Sequence, residues 1–442
     1  MNREAQLDKL FNETDKVKFG CVMFDLQENM EGKMVPLPGS GWASIEGKKA
    51  FRISSTADLS AEVKWLTNIS KEVFWKTGLV KQSKLKPSNY LRTEVTQIMK
   101  EIGITIPMVS VVSVCEALSS LFAKIMKLGI EYYGIKDFIQ KDLATEIKET
   151  LVKEDKSLSI YVDEALLRSY QDIVVCNHNK INKPVKYITL KRPRYFHANQ
   201  VLETKIPNSE KDWSFVGAED MPESTKDKLK FLMAMKKPFL AKVEIKSFLE
   251  TPNINLDMAK LLNLGEAIGE GGKKKERNWV CQPEILYLSQ FADIEISAAF
   301  VAKEYVDLND NIGLPYLGEL SDISYSLGIL SECVWIGLSA RSVNKKTSSK
   351  SLVSPRACWL KSADRFWTLE SAMKLSAAGF EVHTYGYGGV TVIIEDDKIS
   401  QLIDFAPHAG LVVPMSLVQD KKYGMKIPDV TNVEGMEEKP FE

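Results

Sequence analysis

The sequence predicts a mainly α (α+β) fold: two helical lobes, with small β elements near the N-terminus and at a C-terminal hairpin. Three observations predict it. Apolar residues recur at three- and four-residue spacing in many segments. A β-branched and aromatic run, Val17–Leu26, opens the ordered part of the chain. Near the other end, Gly386, Tyr387, Gly388 and Gly389 separate two apolar runs, Glu381–Tyr385 and Val390–Glu395, as a hairpin turn does.

In order, residues 1–16 are polar and predict an arm. Val17–Leu26 predicts a strand. Pro36, Pro38, Gly39 and Gly41 predict a turn-rich connection, followed by a hairpin of Trp42–Ile45 and Ala50–Ile53 around residues 46–49. Val63, Leu66, Ile69 and Val73 predict an amphipathic helix over Ser60–Lys76. Helices are expected at Leu91–Ile102, from Pro107 to about Leu128, at Lys141–Glu154 and at Tyr161–Ile173. Pro107 suits a first helical turn because its missing N–H has no intrahelical acceptor there. Lys186–Leu190 and Phe239–Phe248 predict strands, and Lys226–Lys237 a helix between them. Residues 205–225 predict a polar connection.

The second half starts at a junction, Pro252–Asp257, and a short helix, Met258–Leu264. Residues 265–277 predict a glycine-rich basic loop. Cys281–Tyr305, Ser321–Ala340 and Lys361–Leu375 predict helices, with a basic loop from Arg341 to Arg356. The organising stretch is Phe291–Arg365, a helical core carrying that cationic loop. Lys398–Asp404 predicts a short helix and Leu411–Leu417 a strand. The division is therefore 1–16 arm, 17–250 N-terminal lobe, 251–420 C-terminal lobe and 421–442 tail. No internal repeat is present.

Composition narrows the function. With 442 residues, 44% hydrophobic and 26% charged, the chain has room for two ordinary domains. A formal charge of -1 means that any anion affinity comes from local patches. The 6 Cys are scattered without a CxxC pair, which predicts buried, reduced thiols in an intracellular protein. The 4 His never stand at i,i+4 spacing, so no zinc site and no other cofactor are expected. No signal peptide is read at the start, and the longest uncharged run, Ile102–Cys115, falls short of the roughly 18 residues of a membrane span. The expected location from these features is a reducing compartment.

Catalytic motifs fail on spacing. Counting back from Gly272-Lys273, a phosphate loop needs a glycine where Ala267 stands, and Lys274 replaces its Ser or Thr. The glycines at 386–389 lead into a strand, where a dinucleotide fold needs a helix. Glu244 and Lys246 resemble half of a metal-dependent nuclease site, with Asp212 or Asp220 as the second carboxylate; a phage-type replication factor or nuclease is the alternative reading. A structural virion protein is a further one.

Three basic segments remain: Lys180–Arg194, Lys273–Arg277 and Arg341–Arg365. Cations neutralise phosphates without regard to sequence, and neighbouring aromatic faces stack on splayed bases. The candidate nucleic-acid contacts are Lys183, Lys186, Tyr187, Arg192, Arg194, Lys273, Lys274, Arg341, Lys345, Lys346, Lys350 and Arg356. Tyr195 and Trp359 are further candidates for stacking. The layout carried by Phe291–Arg365 and Lys180–Arg194 resembles nucleocapsid (coat) proteins of segmented negative-strand RNA viruses, of the ophiovirus type. The resemblance implies single-stranded RNA held in a basic groove between lobes, homo-oligomers joined through terminal arms, no membrane contact and no catalysis.

Overall fold

The structure, a computed structural model, describes residues 18–28, 30, 34–54, 56–68, 90–91, 110–133, 158–176, 184–193, 195–208, 212–249, 261–262, 264, 266–268, 274–306, 332, 335–339, 342–343, 351–414 and 417. The fold is α+β, not mainly α: the described residues form nineteen strands in six sheets and seven α-helices.

The first sheet holds β1 (Lys18–Glu28), β2 (Met34–Ile45), β3 (Phe51–Ile53), β4 (Val63–Thr67) and β5 (Tyr90–Leu91), in the order β3-β2-β1-β4-β5. Alternation along β1 serves two cores. Phe19, Cys21 and Met23 join one, while Val22 and Phe24 join another with Ala43, Ile53 and Trp65. Gly20 is required between them, because a Cβ there would stand 2.5 Å from the Trp65 ring. The expected hairpin at 46–49 is present, with Glu46 and Gly47 at positive φ in the turn.

Two expectations fail in this sheet. Where a helix over Ser60–Lys76 was expected, the described residues 60–68 hold β4, which pairs in parallel with β1 from Lys18↔Val63 to Val22↔Thr67, and residues 69–76 lie outside the described ones. Val63, Trp65, Leu66 and Thr67 are all buried, so both faces of the strand are covered, and Val63 and Leu66 match a helical spacing by coincidence. The residues read as a connection, Pro36 to Gly41, lie within β2, where its pairing with β1 shifts register between Phe24 and Leu26.

Helix α1 (Val111–Tyr133) lies across β1 and β2, close to its expected place. Phe122 meets Phe19 edge-on at 5.7 Å. Then follow α2 (Ile160–Ser169), β6 (Ile173–Val175), β7 (Lys186–Lys191), α3 (Tyr195–Glu203), β8 (Ile206–Pro207), β9 (Trp213–Val216), α4 (Thr225–Ala234) and β10 (Phe239–Phe248). The polar connection expected at 205–225 thus holds two strands.

After these come β11 (Glu266–Ile268), β12 (Lys274–Glu276), β13 (Trp279–Cys281), α5 (Gln282–Leu288), β14 (Ala292–Ala302), β15 (Tyr305–Val306), β16 (Ser342–Val343) and β17 (Ser351–Leu352). The ends of the basic stretch, Glu266–Ile268 and Lys274–Glu276, pair antiparallel with Glu266 opposite Glu276, and its glycines lie outside the described residues. The largest correction is β14, where a helix over Cys281–Tyr305 was expected. Ala292, Ile294 and Ile296 point inward between more exposed neighbours, a period of two that the surrounding apolar residues mask.

The chain closes with α6 (Pro355–Ala377), β18 (Glu381–Gly386), β19 (Gly389–Ile394) and α7 (Ile399–Phe405). Ser354 caps α6 by accepting from the Ala357 N–H at 3.1 Å, and Pro355 occupies its first turn. Helix α6 is buried nearly all round: Trp359 and Leu360 join the core under α1, and Leu369, Ala372, Met373 and Leu375 join the larger core. In place of the strand expected at Leu411–Leu417, the described residues show an isolated bridge, Val412 to Lys191, and pack Leu411, Val413 and Leu417 on the larger core.

Two four-stranded antiparallel sheets flank α6, β13-β10-β14-β9 and β6-β18-β19-β7. Both cross the 250/251 boundary, since β10 pairs with β13 and β14, and β7 with β19. The 1–16 arm, the Lys141–Glu154 helix, the Pro252–Asp257 junction and the 421–442 tail lie outside the described residues. No described helix is long and apolar enough to cross a membrane.

Candidate nucleic-acid interface

Helix α2 carries Tyr161, Glu164, Ala165 and Arg168 at i, i+3, i+4 and i+7, so the four share one face. That face looks across a cleft of about 500 Å³ at Phe215 of β9, Lys242 of β10, Trp279 of β13 and Phe300 of β14. Register explains the opposite wall. Phe300 pairs with Phe215 and with Leu240, and Lys242 pairs with Trp279, so these side chains share one face of the sheet.

The wall is aromatic. The Trp279 ring stacks on Phe300 with centroids 5.3 Å apart and planes 24° apart, and Phe215 leans on Phe300 at 5.4 Å. Phe300 is buried, but Phe215 is 59% exposed and Tyr161, across the cleft, 72%. Arg168 is ion-paired with Glu164 one turn away on the same helix, and Lys242 is exposed beside Trp279. Aromatic faces open to water, next to two cations, suit a ligand of flat rings and negative charge.

A buried ionic network fixes the two walls relative to each other. Glu284 on α5 accepts from Arg277 at 3.0 and 2.6 Å and from Arg365 on α6 at 3.1 and 2.7 Å. Arg365 also donates to the backbone oxygens of Ser169 and Gln171, at the end of α2. Because α5 follows β13 directly, the network ties α2 to the strand that carries Trp279. Burial pushes the Glu284 carboxyl up, but the two guanidiniums outweigh it and hold the group down at about 2.

A second buried cluster holds the Gly386–Gly389 turn. The Lys361 ammonium lies 2.8 Å from Asp172, 4.4 Å from the Trp335 ring centre and 4.2 Å from that of Tyr387. Burial lowers its pKa, against the pull of Asp172 and Asp364. Asp364 accepts from the Gly388 N–H with both oxygens, at 3.0 and 3.1 Å. Lys361 and Asp364 are buried and turned to groups of the fold itself, so the cluster reads as architecture.

The residues expected to bind nucleic acid fare differently. Lys186 is on β7, 2.9 Å from Asp396. Tyr187 is 56% exposed and meets His383 edge-on at 5.0 Å. Arg192 is buried, which corrects its assignment to phosphate: its guanidinium donates to the Trp367 carbonyl at 2.8 Å and to Ser371 at 3.2 Å, and lies 4.0 Å over Phe196. Arg356 donates to the Leu338 carbonyl at 3.2 Å. Trp359 is fully buried and offers no face for stacking. Lys183, Arg194, Lys273, Arg341, Lys345, Lys346 and Lys350 lie outside the described residues, as do the side chains of Lys274 and Tyr195.

The nuclease reading finds its two residues paired with each other, Lys246 2.9 Å from Glu244. Glu295, opposite Glu244 in register, is engaged by Thr225 and Lys228. Asp220 accepts from the Gly217 N–H at 3.2 Å. Among the described residues no three His, Cys, Asp or Glu side chains gather as a metal would require.

No family model and no curated protein matches the chain. Solved structures of Phi29 DNA polymerase share part of its outline. The complex with single-stranded DNA aligns at a TM-score of 0.41 and 10% identity, over 85% of this chain and 80% of that one. The orthorhombic crystal form aligns at 0.41 and 8%, over the same shares. Likeness at this level assigns the chain to no family.

Sequence reasoning missed the cleft. The spacing of Tyr161, Glu164 and Arg168 is visible in the sequence. The facing aromatics are not, because Trp279 and Phe300 share a sheet face only once the second half of the 281–305 stretch becomes a strand.

Proposed function

We propose that this chain binds single-stranded RNA without acting on it chemically, as a nucleocapsid-like coat protein. The observation that carries the reading is the aromatic wall of Phe215, Trp279 and Phe300, open to water at Phe215 and in part at Trp279, beside Arg168 and Lys242. Base–aromatic stacking contributes about 1–3 kcal/mol per base regardless of sequence, and each neutralised phosphate adds counterion release. A chain of net charge -1 keeps the rest of its surface off the polyanion. Polymerisation through the arms, residues 1–16 and 421–442, belongs to the same reading.

The test is fluorescence anisotropy of a labelled 12-nucleotide oligo(U) across a salt series. Arg168→Ala and Lys242→Ala each lower the slope of log affinity against log salt by roughly 0.7, and Phe215→Ala weakens binding about ten-fold. A folded triple variant with unchanged affinity and slope would sink the reading. Purified protein with a high 260/280 nm absorbance ratio, and particles that ribonuclease disperses, would support the coat role in particular.

A further inference from the structure

We infer that the cleft takes in one unstacked base and reads its hydrogen-bonding edge, with guanine preferred and Glu164 as the reader. This rests on the RNA-binding reading above and names what that site selects.

Size comes first. A cleft of about 500 Å³ has room for one nucleotide. Stacking comes second. Trp279 and Phe300 already form an offset stack, 24° from parallel, that an incoming base extends, and Phe215 and Tyr161 are exposed beside it. Such a wall holds any base and distinguishes none.

Discrimination therefore falls to the polar groups. Those lining the cleft are the Tyr161 hydroxyl, the Glu164 carboxylate and the cations Arg168 and Lys242. Glu164 is the acceptor, half-exposed, with Oε1 paired to Arg168. A carboxylate needs donors opposite it. Guanine alone presents two adjacent donors, N1–H and the N2 amino group, on its pairing edge. Cytosine and adenine each set a ring-nitrogen acceptor beside their amino group, and uracil flanks its N3–H with two carbonyls. Each of these three places a lone pair against the carboxylate. Arg168, fixed beside Glu164, adds a donor fork that suits the guanine carbonyl oxygen. Lys242 stands on the opposite wall to meet the backbone.

The experiment uses the full chain and four labelled 12-nucleotide RNAs, oligo(U) and the same strand with one central guanine, adenine or cytosine. The wild-type protein binds the guanine strand about ten-fold tighter than oligo(U), and the adenine and cytosine strands within two-fold of it. Glu164→Gln, at a half-exposed position, brings the guanine strand to within two-fold of oligo(U), both measured on the same variant. Equal affinity for all four strands in the wild type overturns base reading and leaves RNA binding intact. So does a guanine preference that survives Glu164→Gln. Absence of binding to every strand removes the functional reading together with this one.

Discussion

Arg365 and Glu284 stand 81 residues apart in sequence, yet the guanidinium Nε and Nη2 both donate to one carboxylate oxygen, at 3.1 and 2.7 Å. Arg277 holds the same carboxylate from the other side, and all three side chains are 5% exposed or less. Removing the shared acceptor strands two buried cations. Glu284→Gln is therefore expected to lower unfolding free energy by about 3–5 kcal/mol, read from urea midpoints. A loss under 1 kcal/mol would mean that water or another acceptor replaces it.

The same carboxylate sets a pH dependence. Its folded pKa of about 2 lies below the ordinary 4.5, so its contribution is complete above about 4.5 and fades as pH falls towards 2. The amount is on the order of 3 kcal/mol at ~1.4 kcal/mol per pKa unit. Urea midpoints of wild type and Glu284→Gln converge as pH drops through this window. A gap that stays constant contradicts the assignment.

Lys361 offers the contrast. Its carboxylate partner Asp172 is 48% exposed, so water takes over when the ammonium is removed. Lys361→Met also relieves the burial that lowers the lysine pKa. It is expected to change stability by no more than about 1 kcal/mol, far less than Glu284→Gln. Thermal melts of the two variants side by side rank them.

Gly388 has φ +69, and a Cβ there would sit 2.4 Å from His197 Cε1. Gly388→Ala combines left-handed strain with a clash against a buried ring and is expected to cost about 3 kcal/mol. Gly379, at φ +87 with open space around it, isolates the backbone cost. Gly379→Ala is expected to cost about 1 kcal/mol. Comparable losses at both sites would show that the His197 contact yields freely.

Arg192→Ala removes the bonds to Trp367 and Ser371 and the contact with Phe196, and is expected to destabilise the fold by about 2–4 kcal/mol. Oligo(U) affinity per folded molecule stays unchanged. A selective loss of affinity at full stability would restore Arg192 to the RNA contacts.

Some of this was legible. The β1 strand, the 46–49 hairpin, α1, α4, β10, α6 and the β18–β19 hairpin all carry local cues: alternation, a cap, turn glycines. The failures at β4 and β14 differ in cause. β4 is covered on both faces, so the helical spacing of Val63 and Leu66 is accidental, whereas β14 alternates from Ala292 to Ile296 and the apolar run that follows hides the period of two. The basic segments were legible as charge and not as exposure. Arg192 looks like its neighbours in sequence, but burial against Phe196 and Trp367 takes it out of solvent.

By itself the sequence determined the local elements whose periodicity and turn chemistry agree, the absence of the usual catalytic spacings, and a set of cations without a net positive field. Tertiary structure decided which cations stay buried, which strands share a sheet, and that Tyr161, Arg168, Phe215, Lys242 and Trp279 line one cleft. The reason is physical. Periodicity reports contacts a few residues apart, whereas that cleft joins a helix to strands about 50 to 140 residues further along the chain, through an ionic network whose members are polar in sequence and enclosed in the fold.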